Sequence, residues 1–288
     1  MPRARLNLLA SYPKSGNTWF RAVLSSVRGH GEDVDINAMS LVNSADRMTL
    51  DRILDIRTSD FTQREAARLR PLAYEAAAAY SGAEVVLKVH DAWLPTFADS
   101  PLPFPPDMIR RVILIVRDPR DVASSFAVHM GLTLEQAIAQ MNNPNYVLAG
   151  PNGRMPPQLA QRLSTWSEHT RSWMEAQGLA IHVVRYEDMK ARPHRTFRAA
   201  LDFLGAPVPD EVLDAALTAT RFDRLKAQET ERGFRERSKV AQSFFREGRS
   251  GGWRESLSPQ QADRITADHR TMMTTLGYLD EVPAAATA

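Results

Sequence analysis

The sequence predicts an α/β protein with a central, mostly parallel sheet flanked by helices. Short apolar runs alternate with helical patterns along the chain, which is the order that a parallel sheet requires. The run at residues 111–116, RVILIV, is continuous and largely β-branched, as expected of a strand buried on both faces. Ligands of such sheets usually bind beyond the carboxyl ends of the strands. We therefore expect the functional site in the loops that follow the strands.

The elements follow one another in a regular order. Strands are predicted over residues 6–11, 84–89, 111–116 and 181–186. Helices are predicted over residues 17–28, 62–80, 119–129, 157–177, 196–204 and 210–217. A turn containing Pro13 and Gly16 joins the first strand to the first helix, because both residue types favour turns.

Three longer segments show neither pattern and are predicted to be loops. They are residues 98–107, 142–157 and 221–252, and the second is interpreted as a lid over a cleft. The tail from about residue 282 is expected to be frayed. No repeat and no boundary divides the predicted sheet, so we expect a single domain over residues 1–288.

The composition is that of an ordinary globular protein. Hydrophobic residues make up 43% and charged residues 24%, which excludes a disordered polymer. The 36 Lys and Arg residues exceed the 34 Asp and Glu residues by only two, so no nucleic-acid partner is expected. The absence of cysteine excludes disulfides, thiolate metal sites and cysteine nucleophiles. Without a long apolar run, we expect no membrane span and a cytoplasmic location.

The loop after the first strand has the chemistry of an anion site. It reads SYPKSGNTW over residues 11–19. Its backbone N–H groups and the helix N-terminus favour a phosphate-like anion, and Lys14 adds a full positive charge. Ser15, Asn17 and Thr18 add side-chain donors. The structural alternative is a helix capped by Ser or Asn beside an exposed lysine.

This loop differs from a Walker A loop and resembles another one. Walker A requires Lys after the second glycine, whereas Lys14 precedes Gly16 by two residues and no earlier glycine exists. Residues 13–19 resemble the P-K-S-G-[TN]-T-W loop of the sulfotransferases that use 3'-phosphoadenosine 5'-phosphosulfate (PAPS). The resemblance implies that family's P-loop-like, three-layer fold. It also implies that the 5'-phosphosulfate is bound by Lys14, Ser15, Gly16, Asn17, Thr18 and Trp19.

A second segment suits a phosphate monoester. Residues 116–125 read VRDPRDVASS, with Arg117 at a strand end and Ser125 in the following helix. Arginine offers forked donors and serine a hydroxyl. The alternative is an Arg117 paired with Asp118 or Asp121 beside an ordinary serine. The segment resembles the family's 3'-phosphate motif, which implies that Arg117 and Ser125 hold the 3'-phosphate.

A third segment supplies a candidate base. Lys88 and His90 share one face of the predicted strand, and histidine is the side chain that accepts protons near neutral pH. A structural histidine is the alternative. The segment is similar to the family's K-x-H, which implies that His90 is the general base and that Lys88 positions the transferred group. In the same scheme Lys14 stabilises the leaving oxygen, and Ser15 restrains Lys14 until the acceptor binds.

Three further segments resemble family motifs. One is the Y-E-D sequence that begins at Tyr186, and another is the T-x-F sequence formed by Thr220 and Phe222. The resemblance implies that these residues lie at the adenine. The alternative is that both aromatic residues pack in the core. Residues 245–253, FREGRSGGW, resemble the R-K-G-x-x-G-[DE]-W lid, in which Arg246 and Gly248 would close over the 3'-phosphate. The structural alternative there is a flexible surface loop.

The lid segment departs from the family pattern in two places. Glu247 stands where the family has lysine, and Gly252 where it has an acidic residue. Glu247 places a negative charge near the expected phosphate. Arg249 is a candidate to point inward in place of the missing lysine.

The resemblance extends from residue 6 to about residue 253 and implies a PAPS-dependent sulfotransferase without a metal. In-line transfer would move a sulfuryl group to a hydroxyl of a small, apolar or phenolic acceptor and release 3',5'-ADP (PAP). Candidate acceptor-pocket residues are Trp93, Phe97, Phe126, Met130 and Met141. The alternatives are a nucleotide-dependent kinase and a module that binds PAP without turnover. Both a monomer and a homodimer fit the sequence.

Overall fold

The computed structural model describes residues 6–39, 42–81, 85–149 and 158–280. Its strands are β1 (Leu6–Ser11), β2 (Val42–Asn43), β3 (Val85–Val89), β4 (Ile109–Val116), β5 (Val147–Leu148), β6 (Gln161–Arg162) and β7 (Ile181–Arg185). The main sheet has the order β2-β3-β1-β4-β7, and all of its pairings are parallel. β5 and β6 form a separate antiparallel pair. The prediction of a mostly parallel sheet flanked by helices is confirmed.

Helices connect these strands and cover both faces of the sheet. They are α1 (Asn17–Arg28), α2 (Arg47–Leu54), α3 (Gln63–Ser81), α4 (Pro119–Met130), α5 (Leu134–Met141), α6 (Trp166–Met174), α7 (Tyr186–Ala191), α8 (Pro193–Leu204), α9 (Asp210–Ala219), α10 (Phe222–Arg232), α11 (Trp253–Ser256) and α12 (Pro259–Thr275). Within the described ranges, no helix is both long and apolar enough to cross a bilayer.

Alternate side chains of β1 enter different clusters, because successive strand residues point to opposite faces. Leu8 and Ala10 belong to the cluster that contains Phe126, whereas Leu9 packs with Phe20 of α1. Every residue of β1 is buried, as expected of a central strand with helices on both faces. Since β1, β3 and β4 are parallel, the residues that follow their carboxyl ends meet at one edge of the sheet.

Two predicted segments differ from the structure. The predicted helix over 157–177 is wrong at its start, because α6 begins only at Trp166, after β6 and the Thr165 side chain that caps the Glu168 amide. Residues 221–252 are not all loop, because α10 buries Leu225 on one side. Residue 84, the part of the predicted lid over 150–157 and the predicted frayed tail lie outside the described residues. The single domain stays a prediction.

Candidate active site

The turn between β1 and α1 has an unusual backbone. Lys14 has φ +69° and Gly16 φ +105°, so both adopt the left-handed region, which non-glycine residues seldom enter away from functional sites. A Cβ on Gly16 would lie 2.6 Å from the Tyr186 ring, so only glycine fits there. The Asn17 side chain donates to the Leu9 carbonyl and the Ser11 hydroxyl, at 3.1 Å each. These contacts hold the turn against the strand.

A cavity of about 670 Å³ opens at the carboxyl edge of the sheet. It brings together most of the residues predicted from the motifs. The predicted residues that line it are Lys14, Gly16, Asn17, Thr18, Trp19, Lys88, His90, Arg117, Ser125, Tyr186, Phe222, Arg246 and Gly248.

Two predicted binding residues do not line this cavity. The Thr220 side chain is fully buried, and its hydroxyl donates to the Ala216 carbonyl at 2.7 Å, so it serves the end of α9. Ser15 is also fully buried, and its hydroxyl has no hydrogen-bond partner in the structure. The predicted restraint of Lys14 by the Ser15 hydroxyl is therefore not seen. Lys14 instead lies with its ammonium 3.6 Å from the centre of the Phe244 ring.

The Lys14 ammonium loses its proton more readily than that of an ordinary lysine, because its pKa is lowered. Burial is the main cause, and the nearby charges of Lys88, Arg117 and Arg246 add to it; together they lower the pKa of Lys14 to about 7. A cluster of cations that lowers a lysine pKa in this way is favourable for an anion, because a bound negative charge relieves the repulsion. The cavity is thus poised for a polyanionic ligand.

Arg117 joins three parts of the site. Its guanidinium donates to the Lys14 carbonyl at 3.2 Å and to the Arg249 carbonyl at 2.9 Å. It lies 4.4 Å from the centre of the Tyr186 ring, at cation–π distance. Its Nε is buried and has no partner in the structure. Arg117 therefore retains a free donor.

The carboxylates of Asp118 and Asp121, which lie near Arg117, form their hydrogen bonds with other groups. Asp118 forms close hydrogen bonds with Arg120, at 2.7 Å for the shortest. Asp121 lies 3.9 Å from Arg117 and accepts the backbone N–H groups of Gly251 and Trp253 at 2.7 and 2.8 Å. Motif reasoning missed this role of Asp121, which anchors the predicted lid segment to α4. The regular position of Asp121 in the helix gave no signal of a partner 130 residues away.

Glu247, one of the two departures in the lid segment, belongs to an ion-pair network. Glu247 accepts from Arg249 at 2.8 Å and from Arg246 at 3.3 Å. Arg249 also makes a bidentate pair with Glu255, at 2.7 and 2.6 Å. Arg249 lines the cavity but is already neutralised by two carboxylates, so it does not stand free as the inward cation. Gly248 has φ +60°, and a Cβ there would lie 2.3 Å from the Phe222 ring.

His90 is held in one tautomer. Its Nδ1 lies 2.8 Å from the Ser11 carbonyl, which only accepts hydrogen bonds, so Nδ1 carries the proton. Nε2 is then the basic nitrogen. Burial, aided by the charge of Lys88, lowers the pKa of His90 well below its usual value. The ring is therefore neutral at pH 7 and able to accept a proton at Nε2.

A buried ion pair supports the end of β3. Arg70 of α3 makes a bidentate pair with Asp91, at 2.8 and 2.9 Å, and both side chains are fully buried. The Trp173 indole donates to the Asp91 carbonyl at 3.0 Å, and His169 Nε2 lies 3.1 Å from the His90 carbonyl. These contacts fix the backbone from which His90 projects.

Asp91→Asn is expected to destabilise the protein strongly, because it leaves the Arg70 charge buried without a counter-charge. We expect the free energy of unfolding to fall by about 3–5 kcal/mol, measured by denaturant titration. Asp99→Asn is the matched control, since Asp99 pairs with Arg64 and Arg68 at the surface, and the unfolding midpoint should hardly change. Equal midpoints for both variants would contradict the assigned role of Asp91.

The acceptor side of the cavity differs from its prediction. Phe126 and Met130 line the cavity as expected, together with Leu148 and Phe244. Trp93, Phe97 and Met141 do not line it. Trp93 packs on Trp173 with 5.1 Å between ring centres, and Met141 lies in the core. Hydrophobicity alone does not separate a pocket wall from a core, because both use the same residue types.

Glu236 is a cavity residue that no motif predicted. Its carboxylate binds Lys88 at 2.8 Å and Arg21 at 2.7 Å. Burial opposes its charge, but Lys88 and Arg21 outweigh burial and hold the pKa of Glu236 at about 2. Burial lowers the pKa of Lys88, and Glu236 offsets part of this effect. In the described part of the chain, no group of three or more His, Asp or Glu side chains forms a metal site.

The profile of the sulfotransferase domain family matches residues 6–277. Sulfotransferase 1B1 of Canis lupus familiaris is 26% identical over 282 residues, covering 96% of this chain and 86% of that protein. Sulfotransferase 1A1 of Mus musculus is 28% identical over 115 residues, covering 38% of this chain and 40% of its own length. Sulfotransferase 1C2 of Rattus norvegicus is 30% identical over 125 residues, with 41% and 42% covered. This chain thus spans well under half the length of the mouse and rat relatives.

Solved structures show the same fold at low sequence identity. Retinol dehydratase in complex with androsterone and the inactive cofactor PAP has a TM-score of 0.63 at 17% identity, covering 98% of this chain and 83% of that one. Mouse sulfotransferase SULT7A1 complexed with PAP has a TM-score of 0.60 at 18% identity, covering 94% and 85%. These likenesses establish the P-loop-like α/β fold.

Proposed function

This chain belongs to the sulfotransferase domain family, and from that premise we propose that it transfers a sulfuryl group from PAPS to a hydroxyl of a small acceptor. The observation that carries the proposal is that the residues of two proposed anion-binding sites, here called anion grips, line one cavity together with a proposed base. Lys14 and the turn around it form one grip, and Arg117 with Ser125 forms the other. His90 and Lys88 line the same cavity. A simple nucleotide binder needs neither the second grip nor the base.

The cavity residues fit the donor. Lys14, Arg117 and Arg246 offer positive charge on one side, and the buried Arg117 Nε lacks a partner that a 3'-phosphate oxygen would provide. The Trp19 indole N–H is likewise buried without a partner in the structure. Tyr186 lies against Gly16 and beside Arg117, and Phe222 lies against Gly248, so both aromatic rings border the region proposed to bind the donor. Within this arrangement Tyr186 and Phe222 are the proposed adenine-side residues, and Trp19 belongs to the proposed 5'-phosphosulfate loop.

The transfer relies on positioning and on charge. PAPS supplies an activated sulfuryl group with PAP as the leaving group. His90 Nε2 takes the proton of the acceptor hydroxyl as the new oxygen–sulfur bond forms and the bridging bond breaks. Lys14 stabilises the negative charge on the departing oxygen, and Lys88 positions the transferred group. The turn amides and Arg117 hold the donor in line with the acceptor, which removes much of the entropic cost.

The acceptor is proposed to be a small apolar or phenolic alcohol. Phe126, Met130, Leu148 and Phe244 give the acceptor side of the cavity an apolar wall. The proposed partner is therefore a small molecule. A monomer and a homodimer remain equally compatible with this proposal.

Calorimetric titration with PAP, ADP and ATP, with and without Mg²⁺, tests the donor assignment. We expect PAP to bind most tightly and without metal, because ADP and ATP lack the 3'-phosphate that Arg117 and Ser125 hold. Arg117→Ala should weaken PAP binding by about tenfold to a hundredfold, the range for a lost hydrogen bond to a charged group, and affect ADP far less. Arg264→Ala, an exposed arginine of α12, is the control.

Tighter binding of ATP with Mg²⁺ would favour the kinase alternative and refute the two-grip assignment. A chain that binds PAP but transfers nothing to a broad panel of phenols and alcohols would favour the binding module. The sequence pattern already disfavours a kinase, since the Walker A arrangement is absent.

A further inference from the structure

Residues 234–240 pass along the cavity, and residues 235–239 line it. Phe234 packs with Ala22 and Ile36, on the α1 side. At the other end Val240 contacts Gly131, where a Cβ would come within 2.9 Å of it, just after α4. Between these anchors Glu236 reaches into the cavity. We call residues 234–240 the crossing segment.

Glu236 differs from the other carboxylates that line the cavity in the described residues. Asp121 binds the backbone amides of the lid segment, and Glu247 pairs with arginines of that segment. Glu236 instead binds Lys88, two residues before His90 on β3, and Arg21 of α1. Arg21 is almost fully buried, with 5% of its side chain exposed, so its contact holds the Glu236 carboxylate in a defined position.

We propose that Glu236 is a positioning residue of the reaction: it holds the Lys88 ammonium in place and supplies the negative charge against which His90 accepts the acceptor's proton. This inference rests on the proposed sulfuryl transfer. It concerns the crossing segment, which the recognised motifs do not include.

The charge balance of the step explains the need for a carboxylate. When the acceptor oxygen bonds to sulfur, its proton moves to His90 Nε2, and the imidazole becomes a cation. That cation forms close to the Lys88 ammonium, and Glu236 is the carboxylate that offsets the charge of Lys88 at His90. The titratable and charged groups around Glu236 are Arg21 from α1, Lys14 from the turn, Lys88 from β3, His90 just after β3, and His129 from α4. Glu236 raises the pKa of each of the last four groups.

Glu236→Gln tests the proposal, because it keeps the shape and removes the charge. We expect kcat to fall about tenfold to a hundredfold, the range for a lost hydrogen bond between charged groups, while PAP affinity stays close to that of the unaltered protein. The alkaline limb of kcat/KM, which reports the loss of the Lys14 proton, should move to lower pH. The limb moves in this direction because the negative charge of Glu236 raises the pKa of Lys14, so removing that charge lowers the pKa of Lys14.

Glu236→Asp and Glu231→Gln complete the test. Aspartate keeps the charge, so it should restore the pH profile even if the shorter side chain lowers kcat. Glu231 is an exposed glutamate of α10 paired with Arg232, and its change should alter neither kcat nor the profile. An unchanged kcat, a rise in KM alone, or a lower kcat with an unmoved profile in Glu236→Gln would overturn the proposal. Failure of the unaltered protein to bind PAP would instead refute the proposed function.

Discussion

Lys14→Ala is expected to lower kcat about a hundredfold to a thousandfold without unfolding the protein. Lys14 is the half-buried cation of the first proposed anion grip, and a preorganised charge at the departing oxygen is among the largest contributions to such catalysis. Alanine leaves the turn amides in place, so PAP should still bind, with reduced affinity. Single-turnover measurements with saturating PAPS separate the transfer step from binding.

Two comparisons make this prediction specific to the charge of Lys14. Arg264→Ala removes an exposed cation of α12 that does not line the cavity, and it should leave the single-turnover rate near that of the unaltered protein. Circular dichroism of Lys14→Ala should match the unaltered protein, because the Lys14 side chain makes no hydrogen bond or ion pair with any other described residue and contacts the Phe244 ring. If Lys14→Ala lost PAP affinity but kept its transfer rate at saturation, Lys14 would be a binding residue only.

His90→Ala is expected to lower kcat about a hundredfold to ten-thousandfold, the range for a lost general base. His90 Nδ1 is fixed on the Ser11 carbonyl, and Nε2 remains basic, so no other group described at the site replaces it at the same position. The loss should shrink for phenols of lower pKa, because a phenol that ionises by itself needs less help from a base. Turnover measured across a series of substituted phenols would show this dependence.

The control for His90 is an exposed histidine. His194 of α8 pairs with Asp210 at the surface, so His194→Ala should retain the activity of the unaltered protein. A loss in His90→Ala that is equal for acidic and ordinary phenols would argue that the ring holds the Ser11 backbone and does not move a proton.

Local motifs account for the parts of the site that the sequence predicted well. The turn around Lys14 and Gly16 is specified by adjacent residues, since its left-handed backbone and helix entry depend on a few neighbours. The strands over residues 6–11 and 111–116 were predictable because a strand buried on both faces is largely apolar. The parallel sheet then brings Ser11, His90 and Arg117 to one edge without further information.

Contacts between distant segments were beyond prediction. Glu236 and Lys88 lie 148 residues apart in the chain, and Asp121 and Gly251 lie 130 apart. A single acidic residue in a polar segment carries no mark of the partner it will meet. Thr220 matched a motif by spacing, yet its hydroxyl serves the end of a helix, because hydrogen bonding to the nearest carbonyl is always available to threonine.

The sequence by itself therefore determined the fold class and singled out the residues of the two proposed anion grips and the proposed base, because each motif depends on residues that are neighbours in the chain or on the periodicity of one element. Only the tertiary structure decided which apolar side chains form the pocket wall, which carboxylate anchors the lid segment and which one faces Lys88. The physical reason is that these contacts depend on how the crossing segment and the lid segment return over the sheet, and packing energy specifies that path collectively, through many small terms.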